Sequence, residues 1–163
     1  MRCNLNLLRK CMRNLWNPTE DEGERMSLYT LHLEPKPQSR PRFGRNRAYE
    51  DGKMTQWKRN CVSQLRLLNP KIIPNGPIYV SMTFYIYPPK RIAEVKKKRL
   101  ELESEAIYVD KRPDIDNYIK AVLDCSNEIL FKDDGQVAAL SSQKLYSLNP
   151  RIEIEITSLE ENK

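Results

Sequence analysis

Ile78 to Tyr87 alternates in character, and proline fences the run at both ends. Ile78, Val80, Met82, Phe84 and Ile86 fall on one side, with Tyr79, Tyr85 and Tyr87 on the other. That period of two is satisfied by a strand and not by a helix. Pro77 precedes the run and Pro88-Pro89 ends it. One face of such a strand is apolar along its whole length, so it needs neighbours in a sheet and a covering layer. Residues 28–34 supply a first neighbour, with Tyr29, Leu31 and Leu33 alternating against Thr30 and His32. Residues 136–146 and Arg151–Thr157 supply two more, the last through Ile152, Ile154 and Ile156.

The cover comes from two helical patterns. Met54, Trp57, Cys61, Leu65 and Leu68 step along one face of a helix over about 53–68, and Ile115, Ile119, Val122, Ser126 and Ile129 along another over about 114–130. Lys90–Glu105 is helical by propensity but has too few apolar positions for a core, so it is expected to be exposed. The order β-α-β-(α)-α-β-β predicts an α+β fold, a small mixed sheet packed by helices. With 163 residues the chain has one domain's worth of core.

Residues 1–25 stand apart: Leu5, Leu8, Met12 and Leu15 recur among basic residues, followed by Trp16 and an acidic, turn-rich stretch. They read as a peripheral, weakly ordered extension, with the domain proper over 26–163. Cys3, Cys11, Cys61 and Cys125 show no CxxC pair and there is one histidine, which argues against a structural zinc site. Cys61 and Cys125 fall on apolar helix positions and are expected to be buried free thiols. With no run long enough to span a bilayer, a cytoplasmic, membrane-free protein is expected.

Charge is concentrated. Residues 36–66 hold Lys36, Arg40, Arg42, Arg45, Arg47, Lys53, Lys58, Arg59 and Arg66 against Glu50 and Asp51, in a chain whose formal net charge is +6. Prolines 35, 37 and 41 prevent a helix there and make the arginines ride on an extended loop, with Phe43 and Tyr49 interleaved. A second cluster runs through Lys90, Arg91, Lys96, Lys97, Lys98 and Arg99. Such density suits a phosphate backbone, and it equally suits a solvated face.

Against this basic background stands Arg112-Pro113-Asp114-Ile115-Asp116-Asn117, then Lys120, then Asp133-Asp134-Gly135. Crowded carboxylates need a cation, and hard oxygen ligands select Mg²⁺, Ca²⁺ or Mn²⁺. Asp114 and Asp116 would point about 200° apart on a regular helix, so they can share an ion only if Asp114 lies outside it. The ordinary readings are an Asp cap, an i,i+4 Asp–Lys pair and an Asp-Asp-Gly turn. An EF-hand loop fits poorly, because Tyr118 and Ile119 stand where it needs a third oxygen ligand and a glycine. His32 has no visible partner for a nucleophilic triad.

The run Lys111-Arg112-Pro113-Asp114-Ile115-Asp116-Asn117-Tyr118-Ile119-Lys120-Ala121-Val122-Leu123-Asp124, followed by Phe131-Lys132-Asp133-Asp134-Gly135-Gln136-Val137, resembles the core signature of the RusA family, phage- and prophage-associated endonucleases that resolve Holliday junctions. The Arg40-Pro41-Arg42 loop and the layout of elements over about 28–157 agree with it. The resemblance implies that Asp114, Asp116 and Asp134 are catalytic, metal-binding carboxylates, that Lys120 is an essential basic residue and that Asp133 is an auxiliary acid. It leaves open which of Asp133 and Asp134 is the direct ligand. It further implies a Mg²⁺-dependent homodimer (Mn²⁺ substituting) making paired nicks in four-way or other branched DNA. Arg40, Arg42, Arg45, Arg47, Lys96, Lys97, Lys98 and Arg99 would grip phosphates. The rival expectations are a less selective nuclease for branched DNA or RNA, and a binding module whose carboxylates merely cap a helix.

Overall fold

The computed structural model describes residues 26–39, 42–43, 48–93 and 99–160. Residues 1–25, and the expectation of a peripheral extension there, lie outside them.

The alternating run forms a strand, β4 (Ile78–Ile86), preceded by β1 (Ser27–Leu31), a short hairpin of β2 (Arg42–Phe43) and β3 (Ala48–Tyr49), and helix α1 (Gly52–Leu67). After β4 come α2 (Lys90–Ala93), α3 (Arg99–Glu103), α4 (Ile115–Ser126), a 3-10 turn (Asp134–Gln136), β5 (Val137–Tyr146) and β6 (Arg151–Ser158). The main sheet has the order β1-β6-β4-β5. β4 pairs antiparallel with β6 and parallel with β5, so the sheet is mixed, as expected.

One face of this sheet is the core. Val80, Met82, Phe84, Ile152, Ile154 and Ile156 are buried on it, under Met54, Trp57, Cys61 and Leu65 of α1 and Tyr118, Ala121, Val122 and Cys125 of α4. The Tyr118 ring meets that of Phe84 at 5.4 Å between centroids. Cys61 and Cys125 are buried free thiols, as their helix positions imply.

Three expectations shift. Leu68 is exposed rather than on the buried face of α1, because the helix stops at Leu67 and Asn69 turns into the left-handed region at φ 45. Helix α4 stops at Ser126 rather than near 130, since Glu128 takes φ 60 and breaks the ladder. Leu130 and Phe131 are buried by the turn that follows. The charged stretch is less loose than its composition suggests. Leu102 is 1% exposed. Just beyond α3, Glu105 forms a bidentate pair with Arg151 (2.6 and 2.8 Å), whose guanidinium also lies 3.5 Å from the Tyr85 ring centroid. Burial, with Glu153 and Glu105 nearby, pushes the Tyr85 hydroxyl up to about 12.

Candidate metal centre and nucleic-acid interface

Asp114 sits immediately before α4 with extended backbone (φ −69, ψ 148), outside the regular helix, the placement that sharing an ion with Asp116 would need. Its side chain makes no capping hydrogen bond. Asp116 is in the first turn, where unpaired backbone N–H groups favour negative charge. Its Oδ1 accepts a hydrogen bond from Asn117 Nδ2 at 3.1 Å. Lys120, one turn along, is exposed and makes no ion pair with any described residue, so the i,i+4 pair with Asp116 is not formed. Two ordinary explanations of this motif, cap and ion pair, are therefore not in use.

The approach to Asp114 is held by a residue that sequence reasoning passed over. Lys144 Nζ, on β5, donates to the carbonyls of Lys111 (3.0 Å) and Pro113 (2.8 Å), one to each side of Arg112. Nothing in the strand pattern distinguished Lys144 from a solvated lysine.

The second acidic group divides. Asp133 Oδ1 accepts from the Gly135 backbone N–H at 2.8 Å, capping the 3-10 turn. A Cβ on Gly135 would meet that same oxygen at 2.7 Å, so glycine is what lets the cap close. Gln136 completes it: Oε1 accepts from the backbone of Lys132 (2.8 Å) and Asp133 (3.1 Å), while Nε2 donates to the Gly76 carbonyl at 3.1 Å. Asp134, exposed at the turn's start, carries no such bond. Asp133 is committed to the turn, and Asp134 is left available.

The 3-10 turn that carries Asp134 contacts α4, the helix that Asp114 precedes and on which Asp116 and Lys120 ride. The three aspartates are not drawn into a closed cluster: among the described residues, no three His, Cys, Asp or Glu side chains are grouped so as to hold a metal ion. Mutual repulsion of exposed carboxylates opposes such a group. The donor set is nonetheless all carboxylate oxygen, and Asp114 and Asp134 have no other partner among the described residues. It fits Mg²⁺ and not a thiolate- or imidazole-seeking metal.

The basic loop is rooted at this motif. The Gln38 backbone N–H donates to the Asn117 carbonyl at 2.8 Å, one residue from Asp116. Gln38 Nε2 then donates to Glu50 Oε1 (2.8 Å), and Lys58 Nζ reaches both Glu50 (2.9 Å) and Asp124 of α4 (3.1 Å). Burial pulls the Glu50 carboxyl upward, but hydrogen bonds from Lys58 and Gln38 outweigh it and hold it below the usual carboxylate range. Burial likewise works against the Lys58 ammonium, and its two carboxylates outweigh that and raise it. Both feet of the loop, at Gln38 and Glu50, are thereby tied to α4. Of the arginines it carries, Arg42 has its backbone in β2, while Arg40, Arg45 and Arg47 lie outside the described residues, as do Lys96, Lys97 and Lys98. Arg99 is exposed and pairs with Glu103 at 3.0 Å. Among the described residues, no helix is long and apolar enough to cross a membrane.

The model of the family described as endodeoxyribonuclease RusA matches residues 32–157. An uncharacterized protein of Bacillus subtilis (strain 168), YqaN, is 33% identical over 132 residues, covering 78% of this chain and 93% of its own.

Proposed function

The chain belongs to the RusA endodeoxyribonuclease family, and from that premise we propose that it resolves Holliday junctions by paired, Mg²⁺-dependent nicks in strands of like polarity. The observation that carries this reading is the division of labour among the polar and charged residues. Asp133, Gln136 and Lys144 are spent on holding backbone, whereas Asp114, Asp134 and Lys120 are exposed and without partners among the described residues. Unspent charge of both signs on adjoining elements is what phosphodiester hydrolysis would use.

Asp114, Asp116 and Asp134 would hold the ion, which supplies Lewis acidity at the scissile phosphate and toward the attacking water. Lys120 would bring an ammonium to the phosphoryl oxygens, where negative charge grows toward the transition state. Asn117 holds one oxygen of Asp116 and so orients that carboxylate. Water attacking in line with the P–O3′ bond would break that bond, leaving a 3′-hydroxyl and a 5′-phosphate, the outcome the family implies. The arginines of the loop rooted at Asn117 grip the flanking phosphates and carry no base information of their own. A two-fold homodimer would present two such sites to the two opposed strands of a four-way junction.

The test is cleavage of a mobile four-way junction beside a linear duplex, with and without Mg²⁺, by the wild type and by Asp116→Asn. Mg²⁺-dependent, symmetric nicking of the junction alone, lost in Asp116→Asn with binding retained, is the expected result. Equal cutting of duplex would point instead to a less selective nuclease. No nicking by the wild type would leave a branched-DNA-binding module.

A further inference from the structure

Between the outer edge of β5 and the stretch entering α4 lies a cleft of about 510 Å³, walled by Tyr108, Lys111, Arg112, Asp114, Ser142 and Lys144 among others. It is a shallow depression, open to solvent along most of its length. The backbone along its rim is stiff. Tyr108 bridges Leu145 of β5, the Val109 N–H donates to the Lys144 carbonyl at 3.0 Å, and the Tyr146 N–H donates to the Ile107 carbonyl at 2.9 Å. Tyr108 is nonetheless 57% exposed, with no hydrogen bond or ring contact among the described residues. An aromatic ring held out on a rigid backbone is a platform already in place.

The charges around it decide what the platform suits. Lys144 is used on the Lys111 and Pro113 carbonyls, and Lys111 pairs with Asp110 at 3.2 Å. Arg112 alone of these cations is exposed and without a partner among the described residues. The Gln143 amide is taken by Thr83 at 3.0 Å. The cleft therefore offers one flat ring and one unpartnered guanidinium, on a wall where Asp110 is paired with Lys111, Lys144 is held on carbonyls and Asp114 is exposed. A free phosphate would use the guanidinium and ignore the ring. A nucleotide uses both.

We infer that this cleft takes a single nucleotide beside the scissile phosphate, its base stacked on Tyr108 and its phosphate paired with Arg112. The inference rests on the junction-nuclease reading and adds to it a base-holding subsite. Unstacking a base costs a few kcal/mol, which contacts to the extruded base have to offset. Stacking on an aromatic side chain accepts any base, because each has a π face.

Binding is measured in EDTA, by anisotropy, for four-way junctions carrying an abasic residue at successive positions around the branch. Tyr108→Ala should weaken the intact junction by on the order of tenfold, while Tyr108→Phe should bind as the wild type does, since the ring and not the hydroxyl is used. At one position the abasic residue should weaken the wild type by a similar factor and leave Tyr108→Ala no weaker than before. Unchanged binding by Tyr108→Ala overturns the inference, and so do losses that multiply independently at every position. Melting curves for both variants confirm that they fold, as exposure of Tyr108 leads one to expect. Failure of the underlying reading shows separately, as absence of nicking by the wild type in Mg²⁺, and the binding cycle in EDTA is read independently of it.

Discussion

Gln136 illustrates how one side chain can decide what its neighbours are free to do. Its amide closes the 3-10 turn from both directions, accepting from Lys132 and Asp133 and donating to Gly76 at the entry to β4. Gln136→Glu keeps the acceptor, removes the donor and sets a carboxylate against a carbonyl oxygen. Leaving that contact unsatisfied should cost about 1–3 kcal/mol, read as a lower midpoint in urea. The same variant should cut more slowly, because Asp134 rides on that turn. The two aspartates should then separate cleanly. Asp133→Asn keeps an Oδ1 acceptor for the Gly135 N–H, so stability and cleavage should stay close to wild type. Asp134→Asn disturbs no hydrogen bond among the described residues, so stability should hold while cleavage disappears. Loss of cleavage in Asp133→Asn with Asp134→Asn still active would reverse the assignment.

At the scale of elements, periodic segments were legible and contacts between segments were not. The alternation of β4 and the Met54-Trp57-Cys61-Leu65 face of α1 announced themselves, because each repeats over several turns or rungs. The β2–β3 hairpin has two residues per strand, too short for any period to show. The extra-helical place of Asp114 followed from spacing on the premise that it shares an ion with Asp116, yet the seating of Gln38 on Asn117 is a backbone contact with no side-chain signature. Lys58 joins the loop's far foot to α4 through Glu50 and Asp124. Lys58→Met should cost about 1 kcal/mol and leave Glu50 and Asp124 facing each other. The sign with pH follows from the shifts. The Glu50 carboxyl is depressed, so its contribution is present above the ordinary carboxylate range and lost as pH falls through its folded value. The Lys58 ammonium is raised, so its contribution is present below the ordinary lysine range and lost as pH climbs through its folded value. Chemical denaturation across pH should show the wild type's advantage over Lys58→Met at neutral pH, shrinking toward the acid end. An advantage that grows on acidification would count against the pair.

The whole molecule sets an acidic motif against a basic surround, and the two act on different observables. Carboxylates near the cut repel the phosphate that they must process, so association has to come from elsewhere in the chain. The segment from Lys36 to Arg66 holds nine basic residues against two acidic ones, and its loop is rooted one residue from Asp116. If Arg40, Arg42, Arg45 and Arg47 each neutralise one phosphate, replacing all four with alanine should lower the slope of log K against log salt by about 3 to 4. Because these contacts read backbone charge and not sequence, the loss should be the same on junctions of different sequence at any one salt concentration. Asp116→Asn should move the other way, tightening junction binding in EDTA through relief of repulsion, with the salt slope preserved. A fourfold-alanine variant whose slope matches the wild type would place the phosphate-gripping surface elsewhere, with the Lys96–Arg99 cluster the next to examine. Measured together, the two variants separate grip from cutting: one changes how strongly the junction is held and how salt weakens that hold, the other whether a held junction is cut.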